Sequence, residues 1–273
     1  MIPIYIARLD ALGVVRLTGP DARGLLQGQL SNDLDRLGAD TPLLAGLHTP
    51  QGRVMAILRL LAGPDGEVLA VLPRGLAPLV ATRLKRFVLR AKVVIEDCSA
   101  SHLVYGLQEG AQRRLQLAGP DQAAPGGLAL SEADWHALDI AAGLPQVYPA
   151  TSEQFVAQML NLDLVEGISF TKGCYTGQEI IARAHYRGKV KRRLQRFQTA
   201  DASPLKPGDR FRLVDGRTIE VIDAVALPAG GHDLLAVAPL SAPTAGGENN
   251  LDPAGLPLLQ AEAAALPYAL PEG

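Results

Sequence analysis

The chain has 273 residues, 20% charged and 48% apolar, with a formal net charge of −2, the balance of an ordinary soluble globular protein with room for two or three packed units. That charge creates no global pull toward nucleic acid or an anionic membrane, and residues 1–10, with Arg8 and Asp10 after a short apolar start, read as neither a signal peptide nor a membrane span. The two cysteines, Cys98 and Cys174, are far apart and form no CxxC pair, so the chain is expected to build no zinc or iron-sulfur site unaided, to hold no permanently bound metal, and to be cytoplasmic with reduced thiols.

Residues 12–18 read as a strand, after which Gly19, Pro20 and Asp21 turn the chain into a short helix carrying Leu25, Leu26 and Leu30 that stops near Ser31, Asn32 and Asp33. Residues 48–53 form a loop, followed by apolar strands at 54–62 and 67–73 joined as a hairpin across Gly63 to Gly66. Leu76, Leu79, Val80, Leu84, Phe87 and Val88 then recur at helical spacing, with Arg83, Lys85, Arg86 and Arg90 left for a solvated face. Strands are expected near 93–96 and 102–107, and the irregular order of helix and strand indicates an α+β fold. The stretch 109–130, rich in Gln, Gly, Pro and Ala, reads as a surface excursion with little part in function. Ser131 caps a helix through Trp135, Leu138 and Ile140 that Gly143 and Pro145 end. A second short helix at 152–162 and an apolar strand at 164–170 follow, and 190–270 reads as a small all-β unit with a loop at 239–257.

The most informative segment is Lys172-Gly-Cys-Tyr-Thr-Gly-Gln-Glu179. Thr176 and Glu179 have the spacing of a capping box, which predicts a helix from Gly177 to about Tyr186. Cys174 would then lie just before a helix N-terminus and near Lys172, both of which favour a thiolate. The plainer alternative is a small buried residue in a tight turn. Further on, Arg183, His185, Arg187, Lys189, Lys191, Arg192, Arg193 and Arg196 have no acidic residue among them. Such a run is solvated, paired from elsewhere in the chain, or set to meet an anion.

With these elements placed, the chain resembles the YgfZ family of folate-binding iron-sulfur cluster assembly and repair proteins, relatives of the glycine-cleavage T-protein aminomethyltransferase. The 172–179 segment carries the resemblance, continuing through Arg183, Tyr186 to Lys189, and Arg192 to Leu194. Supporting pieces are Leu26 to Asp33, Thr49 to Arg53, Trp135 to Pro145, and Asn161 to Asp163. The resemblance implies an α+β, T-protein-like fold of two interwoven domains within 1–190 (1–46 with 141–190 as one lobe, 47–140 as a ferredoxin-like lobe), then a C-terminal β-barrel at 191–273. It also implies tetrahydrofolate as cofactor, iron-sulfur client enzymes or assembly proteins as partners, among them tRNA-modifying enzymes, no membrane, and transfer RNA as a secondary partner.

Within that expectation, Cys174 and Lys172 are the residues for chemistry, with Cys174 a reactive thiol beside the folate pocket. Asn32, Asp33, Gln51 and Asp139 supply donors and acceptors for a pterin edge, although a turn or capping role also suits them. Arg53, Arg183 and Arg187 suit the carboxylates of a folate tail. Trp135 and Tyr175 offer stacking faces, with core packing the alternative for Trp135, and Gln178 and Glu179 complete the cofactor set. One departure counts against aminomethyl transfer: where the T-protein pattern carries an aspartate doublet, this chain has Ala56 and Ile57. The expected role is therefore an accessory protein without ordinary turnover, with a folate-dependent one-carbon transferase or a tRNA-binding modification factor as alternatives. A cysteine hydrolase based on His185 or His48 is a further rival, disfavoured because His185 lies roughly 12 Å along the helix.

Overall fold

The computed structural model describes residues 2–119, 121–241 and 255–271. The expected hairpin forms between β4 (Val54–Ala62) and β5 (Val68–Pro73), and β2 (Leu12–Thr18), β3 (Leu43–His48) and β6 (Val94–Asp97) extend it into an antiparallel sheet ordered β3-β4-β5-β2-β6. β5 is apolar at every position because both faces of this sheet are covered. Val68, Ala70 and Leu72 join the main core with the buried stripe of α2 (Ala77–Lys85), namely Ala77, Val80, Ala81 and Leu84. Leu69 and Val71 pack on the other side with Trp135.

β1 (Ile4–Arg8) belongs to a different sheet, where it lies between β7 (Leu103–Glu109) and the short β9 (Leu128–Ala129), with β8 (Gln112–Ala118) outside β7. The chain thus enters one sheet, builds the second, and returns to the first, an interwoven α+β arrangement.

Several expectations need correction. The 109–130 stretch contains β8, paired with β7 along its length, since alternating Leu115 and Leu117 outweigh the turn-forming flanks. α1 is confined to Ala22–Gln27, and Leu30 instead bridges to Leu47. The helix expected at 152–162 is reduced to a 3₁₀ turn, Ala157–Leu160, ended by Asn161 in the left-handed region. No strand forms at 164–170; that segment is tied down by single bonds such as Ser169 N–H to Ser31 O. Most of the loop expected at 239–257 lies outside the described residues.

The C-terminal unit is a sheet ordered β14-β11-β12-β13-β10-β15, built from β10 (Arg192–Thr199), β11 (Arg210–Leu213), β12 (Thr218–Ala226), β13 (His232–Pro239), β14 (Leu258–Leu259) and β15 (Ala261–Ala264). β14 pairs with one edge and β15 with the other, so one short segment nearly closes the sheet and covers its edges. β13 is buried on both faces: Leu234, Ala236 and Ala238 fill the barrel with Phe197, while Leu235 and Val237 join the main core.

Candidate functional site

α4 (Gln178–Tyr186) begins where expected, but the capping box does not form. The N-cap is Gly177 at φ 82°, no side chain caps the helix, and the Thr176 hydroxyl donates to Gln29 Oε1 at 3.1 Å. Glycine is required there: a Cβ would meet Thr49 O at 2.6 Å, on a backbone conformation that side chains disfavour. Close docking of the motif on the Thr49 to Gly52 turn has displaced the cap.

Lys172 is buried. Its Nζ donates at 2.8 Å each to the carbonyls of Gln27, the last residue of α1, and of Leu30 and Asn32 just beyond it. Burial brings its pKa down to about 8, against the pull of Asp33 and Asp35. All three ammonium protons are committed to backbone, so Lys172 clamps the motif to the α1–β3 connection and has none left for the Cys174 thiol. Cys174 itself is exposed, which overturns the buried-turn alternative.

Lys172, Thr176 and Gly177 bring the motif against residues 27–32 and the Thr49 to Gly52 turn. Asn32 spends its amide internally, donating to Leu44 O and Glu166 O and accepting from Asp33 N–H. Asp33 accepts from the Gln27 amide and from Asp35 N–H, which hold its carboxyl below the usual range. Gln51 and Arg53 are exposed, with Arg53 donating to Gln154 O. Gln158 donates to Ile181 O, and Arg193, 5% exposed, makes a bidentate pair with Asp163 at 2.9 Å. Tyr175 is buried 6.3 Å from His48, ring centre to centre, and burial raises its pKa to about 12.

His48 is fully buried with neither ring nitrogen partnered, and burial pushes its pKa down to about 3. It is neutral in the fold but takes up a proton in the unfolded chain below its ordinary value of about 6.5. Stability should therefore fall as pH drops from about 6.5 toward 3, and His48→Leu should flatten that part of the curve, as measured by chemical unfolding across pH. His185 stacks on Phe170 at 3.8 Å. Neither histidine is arranged as a base for Cys174.

A second feature stands apart from the thiol. Ser131 caps α3 (Glu132–Ala141) as expected, accepting from Asp134 N–H at 3.0 Å. Trp135 on α3 is 3% exposed and sits against Gly106, where any Cβ would lie 2.5 Å from the indole. Beside it is a cavity of about 340 Å³ whose walls come from β2, β4, β12, α3 and the segments that follow β1 and α3, including Leu9, Leu12, Arg59, Trp135, His136, Asp139, Tyr148 and Asp223. A smaller one of about 220 Å³ shares Arg59, Trp135, Asp139 and Leu144 and adds Arg113. Asp139 lies between two guanidinium groups, Arg59 at 2.6 Å and Arg113 at 2.7 Å. The indole N–H of Trp135 is buried without an acceptor.

At the barrel end of the cavity, β12 shifts register between Val221 and Asp223, a bulge of the kind that redirects a side chain. Asp223 accepts from the Tyr148 hydroxyl at 3.0 and 3.1 Å and lies 2.8 Å from His136 Nε2. Burial works to lower the His136 pKa, but the bond and charge of Asp223 raise it overall. Burial, then Asp223, raises that of Tyr148.

Of the expected cofactor residues, the cavity brings together Trp135 and Asp139. Cys174, Lys172, Gln51, Arg53, Tyr175, Gln178 and Glu179 are not on its walls, and Arg183 and Arg187 are exposed on or at the end of α4. Arg59, Arg113, His136, Tyr148 and Asp223 were missed. One carried a readable signal: Arg59 is the one charge in the nine-residue apolar β4, whereas Asp223 shares β12 with Glu220.

No family model matches the sequence. Among curated proteins, the chain is 34% identical to the tRNA-modifying protein YgfZ of Edwardsiella ictaluri (86% of this chain, 85% of that one) and 35% identical to the protein of that name from Yersinia pestis (71% and 70%). Among solved structures, the glycine cleavage system aminomethyltransferase T from Bartonella henselae superposes with a TM-score of 0.65 at 12% identity, over 88% of this chain and 79% of that one, a likeness of fold. Among the described residues, no helix is long and apolar enough to cross a membrane. On the identity and coverage of these relatives, the chain belongs to the YgfZ family.

Proposed function

We propose that this protein is a folate-binding accessory factor for assembly or repair of iron-sulfur clusters in client enzymes, with Cys174 as its working thiol. The name shared by its relatives points to clients among tRNA-modifying enzymes. The observation that carries the reading is the pairing of a walled aromatic and acidic cavity with an exposed, unpaired cysteine two residues from the anchored Lys172.

The cavity residues suit a reduced pterin. Trp135 contributes an apolar wall, Asp139 a carboxylate acceptor held in one orientation by two arginines, and Gln146 an amide. A volume of about 340 Å³ falls within the common range for small-molecule sites. Tetrahydrofolate, when bound, supplies ring nitrogens that carry one-carbon units. The protein's part is to exclude water and orient the ring through Trp135 and Asp139. At the separate face, Cys174 offers one sulfur ligand to an incoming iron, while Lys172 and Asn32 hold the loop that presents it.

One-carbon transferase chemistry loses support at β4: Ala56 and Ile57 are both fully buried in the main core, so the strand presents apolar side chains where the T-protein doublet would stand. The test is Cys174→Ala. It is expected to change unfolding free energy by less than about 0.5 kcal/mol, yet to lower the activity of cluster-dependent client enzymes in cells to that of a deletion strain. Full client activity with the alanine variant would remove the thiol from the function.

A further inference from the structure

We propose that the C-terminal end of α4 and the residues just beyond it form a docking platform for single-stranded RNA, next to the Cys174 loop. The basic run that begins on α4 divides in two. Arg193 and Arg196 are tied to Asp163 and Asp233 and belong to the barrel strand. Arg183, Arg187, Lys189 and Lys191 are exposed and form no ion pair among the described residues. The exposed acid on the helix, Glu179, is one turn earlier and pairs with none of them.

The aromatic component is assembled in space. Phe170, from the loop before the cysteine motif, stacks on His185 at 3.8 Å and 19°, and Tyr186 stands edge-on to both, at 6.1 Å from Phe170 and 4.8 Å from His185. Tyr186 is 68% exposed. Flat rings ordered against one another, flanked by cations without protein partners, match the repeating chemistry of a single strand: a planar base and a phosphate per nucleotide. A folate tail would meet the charges alone, and the cavity walls include none of these residues. A lipid surface would use apolar side chains to insert, where this cluster presents an imidazole and a phenol.

The inference deepens the proposed role and rests on it only for RNA over other polyanions. The α4 surface would hold the RNA substrate of a client enzyme at the far end of the helix that follows the Cys174 loop.

The test uses the full chain, a fluorescent single-stranded RNA of about 12 nucleotides, and anisotropy over a salt series. Two double variants, His185→Ala/Tyr186→Ala and Arg187→Ala/Lys189→Ala, are compared with wild type after thermal melts confirm the fold. The aromatic double is expected to weaken binding about tenfold or more with the salt slope unchanged. The charge double should lower the slope of log affinity against log salt by roughly 1.4, at about 0.7 per lost phosphate contact. Both should bind tetrahydrofolate like wild type.

Wild-type affinity in both doubles would overturn the proposal. So would tighter binding to phosphatidylglycerol vesicles than to RNA with the same residue dependence, or loss of tetrahydrofolate binding in the charge double, which would assign these cations to a folate tail. No RNA binding by wild type, with tetrahydrofolate binding and Cys174-dependent client activity intact, would end this proposal and leave the proposed function standing.

Discussion

Lys172→Met should destabilise the protein by about 3–5 kcal/mol, because three carbonyls now satisfied by one ammonium would be left without a donor. Water can reach part of the site, which keeps the figure below the sum of three full desolvation penalties. The melting temperature should fall by roughly 10 °C, against no measurable change for Cys174→Ala. The comparison separates two roles for the lysine. If Lys172→Met melted like wild type yet lost client activity as Cys174→Ala does, Lys172 would be acting on the thiol, as sequence proximity suggests, and the clamp would be wrong.

Asp139→Leu should cost about 3–5 kcal/mol as well, since Arg59 and Arg113 would remain largely buried beside an apolar wall with no counter-charge. Part of that loss should return in Arg59→Leu/Asp139→Leu, where the charge is removed with its partner, while Arg113 keeps its place 5.2 Å over the Trp135 ring. Asp139→Asn should keep more of the stability, because the amide oxygen still accepts from one arginine. All three should weaken tetrahydrofolate binding at least tenfold, on the order of a lost charge-assisted hydrogen bond. Stability is read from urea unfolding and affinity from calorimetry.

The sequence was most legible where local rules and packing agree. The β4–β5 hairpin, α3 with its Ser131 cap, and the start of α4 lie close to their expected positions because apolar periodicity and turn residues set them. β3 was not foreseen: Leu-Leu-Ala-Gly-Leu-His lacks β-branched residues, and its pairing with β4 supplies what its propensity does not. The cap at Gly177 was misread because docking against Thr49 outweighed a local hydrogen-bonding pattern.

For the candidate site, the motifs around Cys174 were visible as a list but not as a set. What ties Lys172 to residues 27–32, Asn32 to Leu44 and Glu166, and Gln158 to α4 is a set of side-chain to backbone bonds that no spacing rule encodes. The cavity was less legible still. The polar residues of this cavity and its smaller neighbour include single charges on three different sheets, Arg59 on β4, Arg113 on β8 and Asp223 on β12, and their meeting is a product of tertiary packing. Cys174 lies on the wall of neither cavity, so on the proposed reading folate and cysteine would act at different places on the protein.

That separation is tested most directly by titrating tetrahydrofolate into wild type, Cys174→Ala and Asp139→Asn in a calorimeter. Cys174→Ala should bind within about twofold of wild type and Asp139→Asn at least tenfold more weakly. Binding that is lost in Cys174→Ala and kept in Asp139→Asn would put the cofactor at the thiol and contradict the two-face arrangement, and no binding by wild type would remove the cofactor altogether.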